Sequence, residues 1–403
     1  MKHFLFSLAA LVTFVILLRL TPVPITAQAG GALETAWGEP DLQGIWTDPY
    51  QTPLQRPAQY AGKEFFTDEE VAALDAQRAK RRDRDYRNLD AYPRGTVNDL
   101  QGSYNGVYHM MRKSGRRTSL IVDPPDGRIP PLTPEVMKTQ AEARAYTLEM
   151  AQASPACKNQ ERSCRGGKYG PVSKKWEQVP PFYSRQNFNR ANGPEDRSLG
   201  ERCLGGFNLE FANANGFTRR IVQTRGGVSI FYDSGQGQGW QRNIVMNGSP
   251  HLPSHIRQWW GDSRGRWEGK TLVIDVTNFT PKTQNMASSE NLHLIERLTR
   301  TGPETLEYAV TIEDPTTWTK PWTVKTEYGK QNEEQNRIYT EPRCHEGNYG
   351  LGALLRGARG DDEAFARHRG PHPAELCTDG CGYVDDDATT ETDPLGGGGG
   401  GGD

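Results

Sequence analysis

The chain has 403 residues, with 48 Lys and Arg against 50 Asp and Glu, and a formal net charge of −2 at pH 7. Such a balance lacks the clustered basic surface by which nucleic-acid-binding proteins are recognised, so we expect no nucleic-acid partner. The length allows one large domain or two small ones.

The N-terminus has the pattern of a secretory signal peptide. Lys2 gives a basic start, an apolar run covers residues 4–18, and Ala27, Gln28 and Ala29 form an A-x-A cleavage site. We expect residues 1–29 to be removed, leaving a periplasmic or secreted protein with no membrane partner. An uncleaved anchor is the alternative, although the apolar run is shorter than the roughly 20 residues of a membrane span.

Residues 30–217 are predicted to be an irregular and helical segment that packs on a later β domain. An LxGxW-like string begins at Leu42, a pattern that opens many small-ligand barrels. A capping box predicts one helix from residue 68 to about residue 88. Thr133 as N-cap, followed by proline, predicts a second helix over residues 134–152.

Residues 218–343 alternate apolar and polar side chains with a period of two, in strings such as TRRIVQT, GGVSIFYDS and KTLVIDVTNF. This pattern predicts a mainly β domain, an antiparallel up-and-down meander of about eight strands that is barrel-like, in the manner of lipocalins and calycins. Leu272, Ile274, Val310 and Val324 are expected to be buried together. A two-sheet sandwich is the alternative.

The C-terminal part is predicted to contain a closing motif with a short helix and then a tail. Residues 344–360 hold the motif and the helix, and residues 361–403 are acidic and glycine-rich. Glycine-rich sequence of low complexity cannot bury a core, so this tail is predicted to be flexible and without chemistry.

Six cysteines in an exported chain indicate disulfides, and six cysteines allow fifteen pairings. Close spacing predicts two local pairs, and the two cysteines that remain are expected to form a long-range pair across the β domain. The predicted pairs are Cys157 with Cys164, Cys377 with Cys381, and Cys203 with Cys344. A zinc site at the C-terminal pair is the weaker alternative, because a second ligand pair at finger spacing is missing.

Several strings occur together in this chain: RTSLIVDPPDGRIPPLTPE, DSRGRWEGKTLVIDVTNF, SENLHLIERLTR, EDPTTWTKPWTV and CHEGNYGLGALLRGAR. In this combination the chain resembles a large family of exported bacterial proteins of unknown function, over about residues 40–359. The resemblance implies export and a mainly β domain, and it transfers no catalytic residue. The cysteine-bearing insert near Cys157, Asn247 and the long tail depart from the family pattern.

Glu296 is the sharpest candidate for a catalytic residue. In a regular strand it shares a face with Leu292, Leu294 and Leu298. Burial would raise the pKa of such a carboxyl group and fit it for general acid or base chemistry, unless an arginine lies within hydrogen-bonding reach. With an arginine partner, the structural interpretation is the better one.

Three further residues complete the catalytic candidates. His293 lies on the opposite face of the Glu296 strand, and His345 with Glu346 follows a predicted disulfide cysteine. A joint site forms only if the His345 loop folds back beside His293. Packing of His293 and capping of a following helix by the His345 loop are the alternatives.

Aromatic and charged residues concentrate before and within the meander, where they would suit a flat or anionic ligand. The predicted ligand-binding residues are Trp259, Trp260, Trp267, Arg257, Asp262, Tyr308 and Tyr349. An ordinary barrel rim with ion pairs would have the same composition.

These observations predict an exported barrel that holds a small organic molecule. The accompanying hypothesis is that the protein catalyses cofactor-free acid–base chemistry on this molecule, such as isomerisation, dehydration or elimination. A non-catalytic periplasmic binding or scaffold protein is the alternative.

His251 and His255 are four residues apart, but the prolines at and near this spacing remove the helical geometry that a metal pair needs. We therefore expect neither a metal nor a cofactor.

Overall fold

The computed structural model describes residues 33–87, 112–161, 164–178, 191, 193–197, 202, 218–233, 239–282, 286–331 and 349–376. Several predictions lie outside these described residues. They are the signal peptide, the Cys203–Cys344 and Cys377–Cys381 pairs, and the catalytic candidates His345 and Glu346.

A closed β-barrel dominates the structure. The barrel strands are β1 (Gly44–Thr47), β5 (Thr218–Thr224), β6 (Gly227–Asp233), β7 (Gly239–Val245), β8 (Asp262–Glu268), β9 (Thr271–Thr277), β10 (His293–Arg300), β11 (Thr305–Glu313) and β12 (Trp322–Lys330). Each strand pairs with the next in this order, and β1 also pairs with β12 to close the ring. The mainly β, barrel-like prediction is confirmed, and closure excludes the sandwich.

The strand count and the strand directions differ from the prediction. Nine strands close the barrel, and β1 comes from the LxGxW-like string before residue 218. The prediction of a purely antiparallel meander is wrong at one place, because β7 and β8 run parallel through the pair Val245 and Arg264. Parallel neighbours need a crossover connection, and residues 246–261, here called the crossover loop, supply it.

The core of the domain is the barrel interior, here called the lumen. Alternate residues of β8–β12 point inward, as the period-two pattern predicts. Leu272, Ile274, Val310 and Val324 are each 0% exposed and belong to one cluster, which confirms that prediction. The β8–β9 hairpin is tight, with Gly269 at φ 60° between Glu268 and Thr271.

Two long helices and three short strands lie before β5 in the chain. Helix α1 covers Asp68–Arg87 and helix α2 covers Pro134–Ala151, with Thr133 accepting the N-cap hydrogen bond from Val136, as predicted. Strand β2 (Tyr50–Gln51) pairs in parallel with β3 (Lys113–Ser114), and β4 (Ile121–Asp123) adds to the edge of β12.

The N-terminal segment contacts the barrel core through apolar side chains. Leu54, Leu120, Ile129 and Leu132 pack against the core cluster. Beyond α2, the short helix α3 (Pro155–Lys158) carries Cys157, which forms the predicted disulfide with Cys164. Short 3-10 turns follow at Lys174–Glu177 and Pro194–Asp196, and another at Ala58–Tyr60 precedes α1.

The C-terminal helix is longer than predicted. Helix α4 covers Tyr349–Ala366 and so continues past residue 360, the predicted end of the helix, into the segment predicted as a flexible tail; a 3-10 turn follows at Pro373–Glu375. In the part of the chain that the structure describes, no helix combines the length and apolarity needed to cross a membrane.

The barrel consists of two groups of strands that meet at two short seams. One group is β1 with β5–β7, and the other is β8–β12. The first seam, β7–β8, has the single residue pair Val245 with Arg264. The second seam, β1–β12, has two pairs, Trp46 with Lys330 and Thr47 with Gly329. Few backbone hydrogen bonds therefore close the barrel, and side chains must complete the closure.

The end of the crossover loop gives a direct test of this geometry. Gly261 has φ 69°, and an added Cβ would lie 2.7 Å from Val276 Cγ1 and 2.8 Å from the Thr277 carbonyl oxygen. Gly261→Ala should lower the free energy of unfolding by about 3 kcal/mol, because overpacking adds to backbone strain. Gly269→Ala, at φ 60° with open space around the Cβ, should cost only about 1 kcal/mol. Equal losses in urea unfolding would contradict the packing described for Gly261.

Candidate functional site

A buried ion pair crosses the lumen. Arg242 on β7 donates from Nη2 to Glu296 Oε2 at 2.6 Å and from Nη1 to Oε1 at 3.2 Å. Glu296 on β10 is 0% exposed, as its apolar face predicts, and Arg242 is 5% exposed. The two strands lie on opposite sides of the β7–β8 seam, so the ion pair fastens that seam from inside. An arginine partner is present, and this favours the structural interpretation of Glu296.

Two tyrosines and a second arginine lie next to this ion pair inside the lumen. The Tyr308 hydroxyl donates to Glu296 Oε1 at 2.8 Å, and the Tyr308 ring stacks on Tyr328 at 5.4 Å between centroids. The Arg219 guanidinium of β5 lies over the Tyr328 ring, 3.6 Å from its centroid, and donates a hydrogen bond to Asp48 at 3.3 Å. Because Arg219 and Tyr328 lie on opposite sides of the β1–β12 seam, their cation–π contact fastens the second seam.

A second cluster of ionisable groups lies on the outer wall of the barrel. It contains His251 of the crossover loop, Asp262 of β8, Asp275 of β9, His293 of β10 and Glu313 of β11, here called the histidine–carboxylate network. The strand residues come from the ends of β8–β11 that meet at one rim, and the loop inserts His251 between them. All but Asp262 are partly exposed, between 28% and 36% at the side chain.

Each imidazole of the network lies between two carboxylates. His251 Nδ1 is 2.9 Å from Asp262 Oδ2, and its Nε2 is 2.8 Å from Asp275 Oδ1. His293 Nδ1 is 3.0 Å from Glu313 Oε2, and its Nε2 is 3.2 Å from the same Asp275 oxygen. One oxygen of Asp275 therefore joins the two imidazoles.

Asp262 is the most buried member of the network. Its burial alone would raise the pKa of this carboxyl, but hydrogen bonds from the Leu252 backbone N–H, His251 and Arg264 outweigh burial and hold the pKa below its usual value. Arg264 donates to both carboxylate oxygens, at 3.1 Å and 3.0 Å. Asp262 is thus an ionised anchor for the crossover loop rather than a group that exchanges protons near neutral pH.

The structure does not gather the predicted ligand-binding residues into one site. Trp267 faces the lumen and Asp262 the outer wall, while Arg257 donates to the Glu290 carbonyl at 2.7 Å. Tyr308 lies in the core, and Tyr349 at the start of α4 is 97% exposed. Trp259 and Trp260 belong to the crossover loop, where Trp260 stacks on lumen residue Tyr232 at 6.3 Å.

Two polar groups on the lumen face of β8 have no hydrogen-bond partner among the described residues. They are the Ser263 hydroxyl and the Trp267 indole N–H. Ser263 is 3% exposed, and its cross-strand neighbour is Val276. An unsatisfied buried donor costs about 1–3 kcal/mol, so such groups are normally matched by water or a ligand.

Sequence reasoning missed two participants for different reasons. Arg242 shares the lumen face of β7 with Ile244, so the same alternation that identifies Glu296 could have found it. His251 has no such signal, because it lies in a loop outside any period-two pattern. In the described part of the chain, no group of three or more His, Cys, Asp or Glu side chains is arranged to hold a metal ion.

The lumen ion pair predicts a large and asymmetric response to mutation. Glu296→Ala leaves the Arg242 guanidinium buried opposite an apolar gap, and should lower the free energy of unfolding by about 3–5 kcal/mol. The apolar double variant Arg242→Met with Glu296→Leu should be near neutral or more stable. Arg297→Ala, which breaks an exposed pair with Glu268 on the outer wall, is the control and should cost at most about 1 kcal/mol. Denaturant unfolding measures all three, and similar losses for Glu296→Ala and Arg297→Ala would contradict the buried pairing.

The lowered pKa of Asp262 gives a prediction of pH dependence. A carboxyl group with a depressed pKa stabilises the fold above its unfolded value of about 3.9 and loses that stabilisation as pH falls through the folded value. The stability difference between the native protein and Asp262→Asn should therefore shrink as pH falls below about pH 4. Exposed Asp126 is the control, since Asp126→Asn should show little change over that range. A difference between native protein and Asp262→Asn that grows on acidification would contradict the assignment.

Comparison with known proteins gives no match to this chain: no protein-family model, no curated protein and no solved structure matches it. The functional assignment therefore depends on the geometry of the lumen and of the histidine–carboxylate network.

Proposed function

We propose that this protein is an exported member of the family that its sequence strings resemble, and that it binds one small organic molecule in the barrel lumen. The observation that carries the proposal is the pair of unsatisfied hydrogen-bonding groups on the lumen face, the Ser263 hydroxyl and the Trp267 indole N–H. A closed barrel of about this size can enclose a single small ligand. The signal-type N-terminus and the Cys157–Cys164 disulfide support export.

The chemistry of the lumen limits the kind of molecule that would bind. An indole N–H only donates, whereas a hydroxyl donates or accepts, so the ligand needs at least one acceptor group. The surrounding side chains are apolar or aromatic, including Leu272, Ile274 and Val276. A compact, mostly apolar molecule with a carbonyl, ether or hydroxyl oxygen meets both requirements.

Binding of a small molecule is better supported than acid–base catalysis by Glu296. The carboxylate accepts three hydrogen bonds, two from Arg242 and one from Tyr308. A general base must reach the proton that it removes, and Glu296 would first have to leave these donors. Glu296→Gln separates the two functions, because a catalytic role predicts loss of turnover with ligand binding retained.

Ser263→Ala tests the proposal. Native mass spectrometry of the protein purified without denaturation should show a co-purified small molecule. The dissociation constant of that molecule should rise about five- to ten-fold in Ser263→Ala, since a hydrogen bond worth about 1 kcal/mol is removed. Without ligand the variant should be as stable as the native protein or more so, because an unsatisfied buried hydroxyl is gone.

Ser229→Ala is the matched control. The same hydroxyl is removed from β6, where Ser229 is partly exposed and accepts a hydrogen bond from Gln241 at 2.9 Å. This variant should bind like the native protein. Binding that is weakened equally by both variants, or a native protein that carries no small molecule and binds none, would argue against a lumen ligand.

A further inference from the structure

The hydrogen bonds of the histidine–carboxylate network depend on protonation. Both ring nitrogens of His251 face carboxylate oxygens, and so do both ring nitrogens of His293. An ionised carboxylate only accepts, and a neutral imidazole has one N–H, whereas an imidazolium has two. All four contacts can therefore be hydrogen bonds only when both imidazoles are protonated.

Charge balance gives the same result. The charged groups that face the imidazoles are Asp262 with its partner Arg264 on β8, Asp275 on β9 and Glu313 on β11. These three carboxylates and one guanidinium sum to −2, and two imidazolium ions bring the sum to zero. When both imidazoles are neutral, each ring keeps a single N–H, so two of the four contacts place a ring-nitrogen lone pair against a carboxylate oxygen and become repulsive.

His251 is the network member that connects this chemistry to the crossover loop. Its neighbour Leu252 donates its backbone N–H to Asp262 at 2.9 Å, and the Leu252 carbonyl accepts from Asn278 at 2.8 Å. Farther along the same loop, Trp260 stacks on Tyr232 of β6. The loop thus contacts strands on both sides of the β7–β8 seam, where only one residue pair joins the backbones.

We propose that the histidine–carboxylate network is a latch that holds the crossover loop against the barrel wall at mildly acidic pH and loosens it as pH rises. The latch joins the loop to β8 and β9 through His251, while His293 and Glu313 complete the chain of hydrogen bonds. Loosening would weaken the cover over the β7–β8 seam. Only the consequence for ligand access to the lumen rests on the proposed function, and the latch itself does not.

Hydrogen exchange of backbone amides tests the latch without any ligand. The protection of the Leu252 amide, corrected for the intrinsic pH dependence of exchange, should fall about ten-fold or more between about pH 5 and about pH 8, the range in which histidine changes charge. Amides of Ile221 and Val310, inside the barrel strands, should keep their protection. A Leu252 amide whose protection does not change with pH would overturn the proposal.

Three variants assign the effect to the network. His251→Gln should leave the Leu252 amide weakly protected at both pH values, while His255→Gln, an exposed histidine of the same loop, should behave as the native protein. Asp275→Asn should have the opposite effect, because its amide nitrogen can donate to both neutral imidazoles and keep the loop protected at high pH. Retained pH dependence in His251→Gln, or lost protection at high pH in Asp275→Asn, would also overturn the proposal.

Discussion

Closure of the barrel depends on buried charged side chains at two places where the backbone pairs only briefly. The β7–β8 seam has one residue pair and the β1–β12 seam has two. Inside the lumen, Arg242 pairs with Glu296 across the first seam, and Arg219 lies on Tyr328 across the second. A slip of one residue in any of these strands would turn the charged group to the outer wall. The contacts therefore select one closed register.

This way of closing the barrel makes the lumen polar at its centre. A buried ion pair is often no more stabilising than apolar residues of the same volume, so stability alone does not account for this pair. Glu296 accepts hydrogen bonds from both Arg242 and Tyr308, so these three side chains define the closed barrel. The Ser263 hydroxyl and the Trp267 N–H differ, since they lie on the same lumen wall and no described residue satisfies them. In the proposed function these two groups bind a ligand, whereas the ion pair is structural.

The parallel pairing of β7 and β8 explains why the outer wall carries a second ionic cluster. An antiparallel hairpin would have joined these strands by a few residues, whereas the parallel arrangement needs the long crossover loop. That loop brings His251 to the rim where β8–β11 present Asp262, Asp275, His293 and Glu313. Its other end places Trp260 on Tyr232. In the proposed latch, this loop couples the ionisation state of the outer wall to the cover over the β7–β8 seam.

The sequence by itself determined the strands, the faces that they bury, the N-cap at Thr133 and the burial of Glu296, because alternation and capping are local properties of consecutive residues. Strand direction at the β7–β8 seam, the recruitment of β1 and the partners of Glu296 are not local. Arg242 is 54 residues from Glu296 along the chain, and His251 meets Asp275 only because the loop crosses the wall. Which of several inward charges pair, and which loop reaches which rim, depends on barrel closure, and closure is decided only when all nine strands are assembled in space.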